Sequence, residues 1–248
     1  FWNYANALKG GIGFENFIDY FSFDVNEQIG MGISDKSYFE QVVPKLKELS
    51  TPFFAHTITL TNHGPFDLPD ELRKLSLDSE LNNSELGGYF ESVHYTDAQI
   101  GHFLELLDKE GILDTTTIII TGDHTGVHKY YNSSIQGLST KEDWYLDDGE
   151  PRVPFIIYDK SINEGKTFDT IGGQIDIMPT MLYLLGVDSN KYENTALGRN
   201  LLNTNRSYAV ITNGDIKGTN LSDEDKIQLG GILQLSDSMI RGDYFNTK

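Results

Sequence analysis

The chain has 248 residues, with 37 acidic against 19 basic side chains, a formal charge of −18 and no cysteine. With so much negative charge and its Lys and Arg scattered, no nucleic-acid partner is expected, and the lack of Cys excludes disulfides, a thiolate zinc site, an iron–sulfur cluster and a Cys nucleophile. Hydrophobic residues make up 38%, enough for one large domain that buries roughly 70–75% of its unfolded surface, and no apolar run approaches the roughly 18 residues of a membrane span.

The chain opens on Phe1-Trp2-Asn3 with neither an initiator Met nor a signal peptide, an apolar start that reads as the interior of a longer protein. Ser34, followed by Phe39, Val42, Val43 and Leu46 on one face, predicts a capped helix over 34–49. Pro52 to Asn62 (PFFAHTITLTN) is β-branched and aromatic and reads as a strand. Leu86 to Glu110 places Phe90, Val93, Ile100, Phe103, Leu104 and Leu107 at helical spacing and stops at Gly111. Thr115 to Thr121 (TTTIIIT) has the look of a strand buried on both faces. The polar stretch 129–150 reads as a loop or lid. Val153 to Tyr158 and Tyr208 to Thr212 are two more strands, and Ile175 to Leu185 is an apolar helix ended by Gly186. Past Asn213 the chain is polar and Gly-punctuated, with two short strands expected over 227–235 and 238–244. Strands separated by helices predict an α/β fold, with a mainly parallel central sheet flanked by helices and a small C-terminal extension. In such sheets function gathers at the carboxyl ends of the strands.

Two strand ends carry chemistry. Thr115–Thr121 runs into Gly122-Asp123-His124. A carboxylate and a neutral imidazole are good ligands for Zn²⁺ or Mn²⁺, and Gly122 permits the sharp turn that would present both to one point. His128 follows four residues later. The same residues also read as a solvated turn with Asp123 as a helix cap. His63 sits just past the 52–62 strand in Thr61-Asn62-His63-Gly64-Pro65-Phe66, where it could hold a phosphate or sulfate oxygen, protonate a leaving group, or be structural. His56, His94 and His102 read as packed or surface residues. Asp97 and Asp176 lie in apolar helical settings and, as buried carboxylates, would support the site from behind. Tyr130, Tyr131 and Trp144 line a substrate groove or fold the loop onto the body.

Together, Gly122-Asp123-His124, Val153-Pro154-Phe155, Gly173 to Thr180 (GGQIDIMPT with Gly172) and Leu184-Leu185-Gly186 resemble the carboxyl half of the sulfatase and alkaline-phosphatase superfamily. Phe1-Trp2-Asn3, Ile58 to His63 and Phe66 narrow the resemblance to the extracellular domain of the lipoteichoic acid synthases, polyglycerol-phosphate transferases of Gram-positive bacteria. The resemblance implies residues 1–213 as the carboxyl part of a catalytic domain and 214–248 as an extension packed on it. It implies one divalent metal, Mn²⁺ foremost with Mg²⁺, Zn²⁺ or Ca²⁺ as alternatives, held by an upstream Glu, a Thr nucleophile and the pair matched by Asp123 and His124. His63 matches the histidine that contacts the phosphoglycerol group, and Trp2 a tryptophan of the substrate pocket. His128 stands where the family carries a serine near the substrate. Tyr4 replaces the Arg of the family's Phe-Trp-Asn-Arg, and a phenol offers one hydrogen bond but no bidentate charge pairing.

The Glu and Thr belong to a stretch before Phe1, so the isolated chain is expected to be inactive. The implied activity is metal-dependent phosphoglycerol transfer from phosphatidylglycerol in lipoteichoic acid synthesis. The implied partners are phosphatidylglycerol or another anionic ester, the amino-terminal half of the same domain, and a membrane reached through upstream helices. The implied place is the outer face of a Gram-positive cell membrane, or a form shed from it. A sulfatase or phosphodiesterase hydrolase of the same superfamily and a non-catalytic surface binding module are the alternatives.

Overall fold

Ser34 starts a helix as its sequence suggests. In the computed structural model, which describes residues 13–126, 128–142, 145, 151–219 and 221–244, its Oγ accepts a hydrogen bond from the Ser37 N–H at 3.1 Å. That satisfies one of the donors a helix start leaves orphaned. Asp35 opens helix α1 (Asp35–Lys47), and Lys45 and Lys47 close it, charges that complement the helix dipole. A short antiparallel hairpin, β1 (Gln28–Ile29) and β2 (Gly32–Ile33), leads into it.

After a single-turn helix α2 (Ser79–Asn82) comes the longest element, α3 (Glu85–Lys109), capped by Ser84 at the Gly87 N–H. Gly111, at φ +71°, ends it where expected, because glycine takes the left-handed conformation without a Cβ penalty. The anticipated face of α1 is buried in full. Phe39, Val42, Val43 and Leu46 form one cluster with Phe103 and Leu107 of α3 and with Leu113. Phe39 and Phe103 stack at 4.4 Å between centroids. Val93, expected on the buried face, is exposed, and Glu91, Ser92 and Thr96 are buried in its stead.

β3 (Ile118–Thr121) pairs with β4 (Phe155–Tyr158) in register Ile118↔Tyr158 to Thr121↔Phe155. This ladder is antiparallel, and so is every other ladder among the described residues, so the expected mainly parallel sheet is not found there. An apolar β-branched run specifies a strand, but not the direction of its partner. The 53–60 segment forms neither helix nor strand ladder among the described residues, and Phe54 and Ile58 are exposed. Strand propensity is context-dependent and needs a partner to be realised. Within the stretch expected as a loop or lid lies helix α4 (His128–Gln136), with Ile135 buried. Trp144 lies outside the described residues.

The chain divides into two units, Phe1–Asn163 and Glu164–Lys248. The second is organised by Asp176, which is buried and precedes α5 (Ile177–Leu184). Its carboxylate accepts from the Gly173 N–H at 2.8 Å and the Arg199 N–H at 2.7 Å. The Arg199 guanidinium donates to the carbonyls of Ile171 and Tyr208 and lies over the Tyr208 ring. Asp176 is thus the buried carboxylate expected, and its recorded bonds lie within this unit. The hairpin β5 (Tyr208–Val210) and β6 (Ile216–Gly218) follows.

The two strands expected near the end are instead helices α6 (Asp223–Gly230) and α7 (Ile232–Arg241). Ser222 and Asp225 form a reciprocal capping box, a helix-start signal. Ile232, Leu235 and Met239 recur at helical rather than alternating spacing.

Truncating Phe39 to Ala removes one ring of the stack and leaves a cavity in the first unit's core. The expected cost is about 3–5 kcal/mol, read as a lowered denaturation midpoint with an unchanged denaturant slope.

Candidate functional site

His63 is presented by a tight reversal. Its N–H donates to the Leu60 carbonyl at 3.1 Å, and its own carbonyl accepts from the Phe66 N–H at 3.3 Å. The ring nitrogen Nδ1 lies 2.8 Å from the Gly64 carbonyl oxygen. A carbonyl can only accept, so Nδ1 carries the proton, and Nε2 is the acceptor of the neutral ring.

Gly122, Asp123 and His124 leave the end of β3 as expected. Asp123 Oδ1 accepts from the His124 N–H at 2.9 Å. His124 Nδ1 lies 2.7 Å from the Thr125 carbonyl oxygen, so this ring too is protonated at Nδ1. Its Nε2 stands 3.6 Å from Asp123 Oδ2, with the Asp and His side chains 87% and 55% exposed. Two ligands of one cation at bond lengths of about 2.0–2.2 Å cannot be more than about 4.4 Å apart. The pair meets that limit, and the backbone bond at Nδ1 is the support that metal-ligating histidines commonly carry. Among the described residues no group of three or more His, Asp or Glu is placed to hold a metal ion.

An aromatic cluster on the first turns of α3 ties the two loops together. Phe66, three residues past His63, packs edge-on against Tyr89 at 5.4 Å and against Tyr131 of α4 at 5.8 Å. Gly126, two residues past His124, lies so close to the Tyr89 ring that a Cβ there would stand 2.5 Å from its oxygen. Both loops therefore dock on one side chain. Burial pushes the Tyr89 phenol up from its ordinary pKa, so it remains a protonated donor at neutral pH. Phe66 adopts φ +66°, the left-handed region that bulky side chains avoid. Such strain persists where surrounding packing fixes it, often beside functional sites.

The other expected residues separate clearly. Asp97 is exposed rather than buried, because its position on α3 falls outside the face that packs on α1. His94 is exposed on the same helix. His102 faces Glu40 and Glu105. His56 stacks on Phe14. Trp2 and Tyr4 lie outside the described residues, as does the side chain of His128, whose backbone begins α4. Sequence reasoning missed two buried carboxylates, Asp35 and Glu91. Asp35 follows a capping serine and reads as a first-turn charge, and Glu91 is an acid on a long helix, where acids are usually solvated, so neither carries a local signal of burial.

Residues 1–187 match the family model described as Sulfatase, and the chain belongs to the sulfatase family. Two curated relatives from Bacillus subtilis (strain 168) are Lipoteichoic acid synthase 1, 35% identical over 92% of this chain and 35% of its own length, and the lipoteichoic acid synthase-like YvgJ, 31% identical over 98% and 43%. The chain thus spans well under half the length of these relatives. The crystal structure of the lipoteichoic acid synthase LtaP from Listeria monocytogenes matches with a TM-score of 0.76 at 26% identity, over 93% of this chain and 65% of that one. The fold is α/β and sulfatase-like.

The strain at Phe66 predicts an inverted order of damage. An L-residue in the left-handed conformation costs roughly 1–2 kcal/mol, and glycine escapes that cost. Phe66→Gly should therefore be about 1 kcal/mol less destabilising than Phe66→Ala, although it removes one more carbon. Equilibrium denaturation of the two variants measures the difference.

Proposed function

We propose that the chain is part of a phosphoglycerol transferase that acts on phosphatidylglycerol in lipoteichoic acid synthesis. The observation that carries this reading is the docking of the His63 loop and the Asp123–His124 loop on one aromatic cluster, in a chain whose relatives are named lipoteichoic acid synthases. Residues 1–213 are the catalytic part and 214–248 an extension. No helix among the described residues is long and apolar enough to cross a membrane, and the intact enzyme reaches its lipid through helices preceding Phe1. Its place is the outer face of a Gram-positive cell membrane, from which a form can be shed.

Asp123 and His124 are the residues of this chain that hold a divalent cation, Mn²⁺ foremost, together with a Glu and a Thr from the preceding sequence. Two ligands with a 3.6 Å separation fit such a role, one anionic oxygen and one neutral imidazole. The bound cation supplies charge neutralisation at the phosphoryl group and a lowered hydroxyl pKa. The Thr oxygen bonds to phosphorus, the bond from phosphorus to the diacylglycerol oxygen breaks, and the Thr proton ends on that oxygen. The oxygen of a polymer hydroxyl or of water then bonds to phosphorus, the bond from phosphorus to the Thr oxygen breaks, and the acceptor's proton ends on that Thr oxygen. His63 faces the phosphoryl group through Nε2. It holds an oxygen there when protonated, or carries the proton in transit. Trp2, Tyr4 and His128 complete the substrate pocket, with Tyr4 giving one hydrogen bond where an Arg would give two.

Asp123→Ala in the intact protein is expected to abolish divalent-metal-dependent release of diacylglycerol from phosphatidylglycerol micelles. Near-normal turnover refutes the assignment. Faster hydrolysis of aryl sulfates than of phosphatidylglycerol would favour a sulfatase, and metal affinity without turnover of either ester a binding module.

A further inference from the structure

We propose that Asp35 is a positioning residue for His63, an inference that rests on the placement of His63 in the active site. Asp35 is fully buried, an expensive location for a carboxylate unless its oxygens are satisfied. Oδ1 accepts from two consecutive amides, Leu60 N–H and Thr61 N–H, both at 3.0 Å. Oδ2 accepts from the Thr96 hydroxyl of α3 at 2.7 Å. The Asp35 N–H in turn donates to the Thr61 hydroxyl at 2.9 Å. None of these partners is a cation.

Helix capping does not account for the arrangement. Ser34 already caps α1 at Ser37, and a first-turn acid serving the dipole alone has no need of burial. What the carboxylate does fix is the stretch where the 53–60 segment enters the turn at Thr61, pinned to α1 and α3 together. The next bond along is His63 N–H to the Leu60 carbonyl. Leu60 is thus held from both sides, by Asp35 at its N–H and by His63 at its carbonyl. The His63 side chain is exposed; the backbone clamp sets where its main chain stands, and Nδ1 is bonded to the Gly64 carbonyl. Groups that do chemistry must be held within about 0.5 Å of the productive geometry. A buried carboxylate on two adjacent amides meets that demand where a loop alone would not.

The test uses the intact protein, with hydrogen exchange by mass spectrometry and diacylglycerol release from phosphatidylglycerol micelles. Asp35→Ala should raise exchange in the 59–66 region at least tenfold, with α3 still protected. It should lower kcat at least tenfold with a small change in KM. Asp35→Asn keeps an acceptor for the two amides and should restore most of both. If Asp35→Ala does not fold, Asp35→Ser, too short to reach both amides, replaces it. Because Asp35 acts through His63, adding Asp35→Ala to His63→Ala should cause no further loss of kcat. Losses that multiply, exchange that rises evenly over the first unit, or an unchanged 59–66 region each overturn the proposal. If His63→Ala alone leaves turnover intact, the catalytic placement of His63 fails, and the exchange data still decide whether Asp35 clamps its loop.

Discussion

The packing of α3 against its neighbours is the constraint from which the first unit follows. A 25-residue helix spans about 37 Å and must bury a stripe along its length. At its carboxyl end the stripe is apolar, with Phe103 stacked on Phe39 and Leu107 beside Leu113. At its amino end it is aromatic, with Tyr89 taking Phe66 from one loop and Gly126 from another. The rigid rod between them joins the core to the site. Two loops far apart in sequence, 61–66 and 122–126, are brought to one side chain because the helix offers one place for both.

The middle of the stripe is polar, and the polar groups are satisfied by backbone rather than by opposite charge. Glu91 accepts from the Lys74 and Leu75 amides, and Thr96 donates to Asp35, which holds Leu60 and Thr61. Carboxylates used in this way act as fixed sockets for loops. They add little hydrophobic stabilisation, but they define where irregular backbone runs, because an unmade bond in a buried place is costly. The second unit uses a related device at Asp176, where the Gly173 and Arg199 amides converge on one carboxylate that also has the Arg199 guanidinium as an ion-pair partner at 3.7 Å, and Thr180 bridges the Asp176 carbonyl to the Leu201 amide.

This division explains what the sequence disclosed. Apolar periodicity is local, so the buried face of α1, the extent of α3 and its stop at Gly111 were legible residue by residue. Gly122-Asp123-His124 was legible because a carboxylate and an imidazole stand together at the end of a β-branched run. Ladder direction was not, since Ile118 to Thr121 would look the same beside a parallel or an antiparallel neighbour. The helix at 128–136 is hidden by polar composition, whereas the apolar residues of 232–241 suit a short strand as well as a helix, and only the capping signal of Ser222 and Asp225 and the helical spacing decide between them. Asp35 and Glu91 were illegible for a different reason. Apart from the Thr96 hydroxyl on Asp35, the partners given for them are backbone amides 16 to 26 residues away, and a backbone amide has no sequence signature.

The two site histidines share one arrangement, Nδ1–H donated to the carbonyl of the following residue. It costs a single local bond, and the roles proposed for both rings fall to Nε2. At His124 this sets the nitrogen toward Asp123 Oδ2, and the claim on which the functional account turns is that these two atoms share a cation. Anomalous diffraction at the manganese edge, from crystals of the intact protein grown with Mn²⁺, tests it directly. A peak within bonding distance of both Asp123 Oδ2 and His124 Nε2 is the expected result. A peak elsewhere, or none at saturating Mn²⁺, contradicts it.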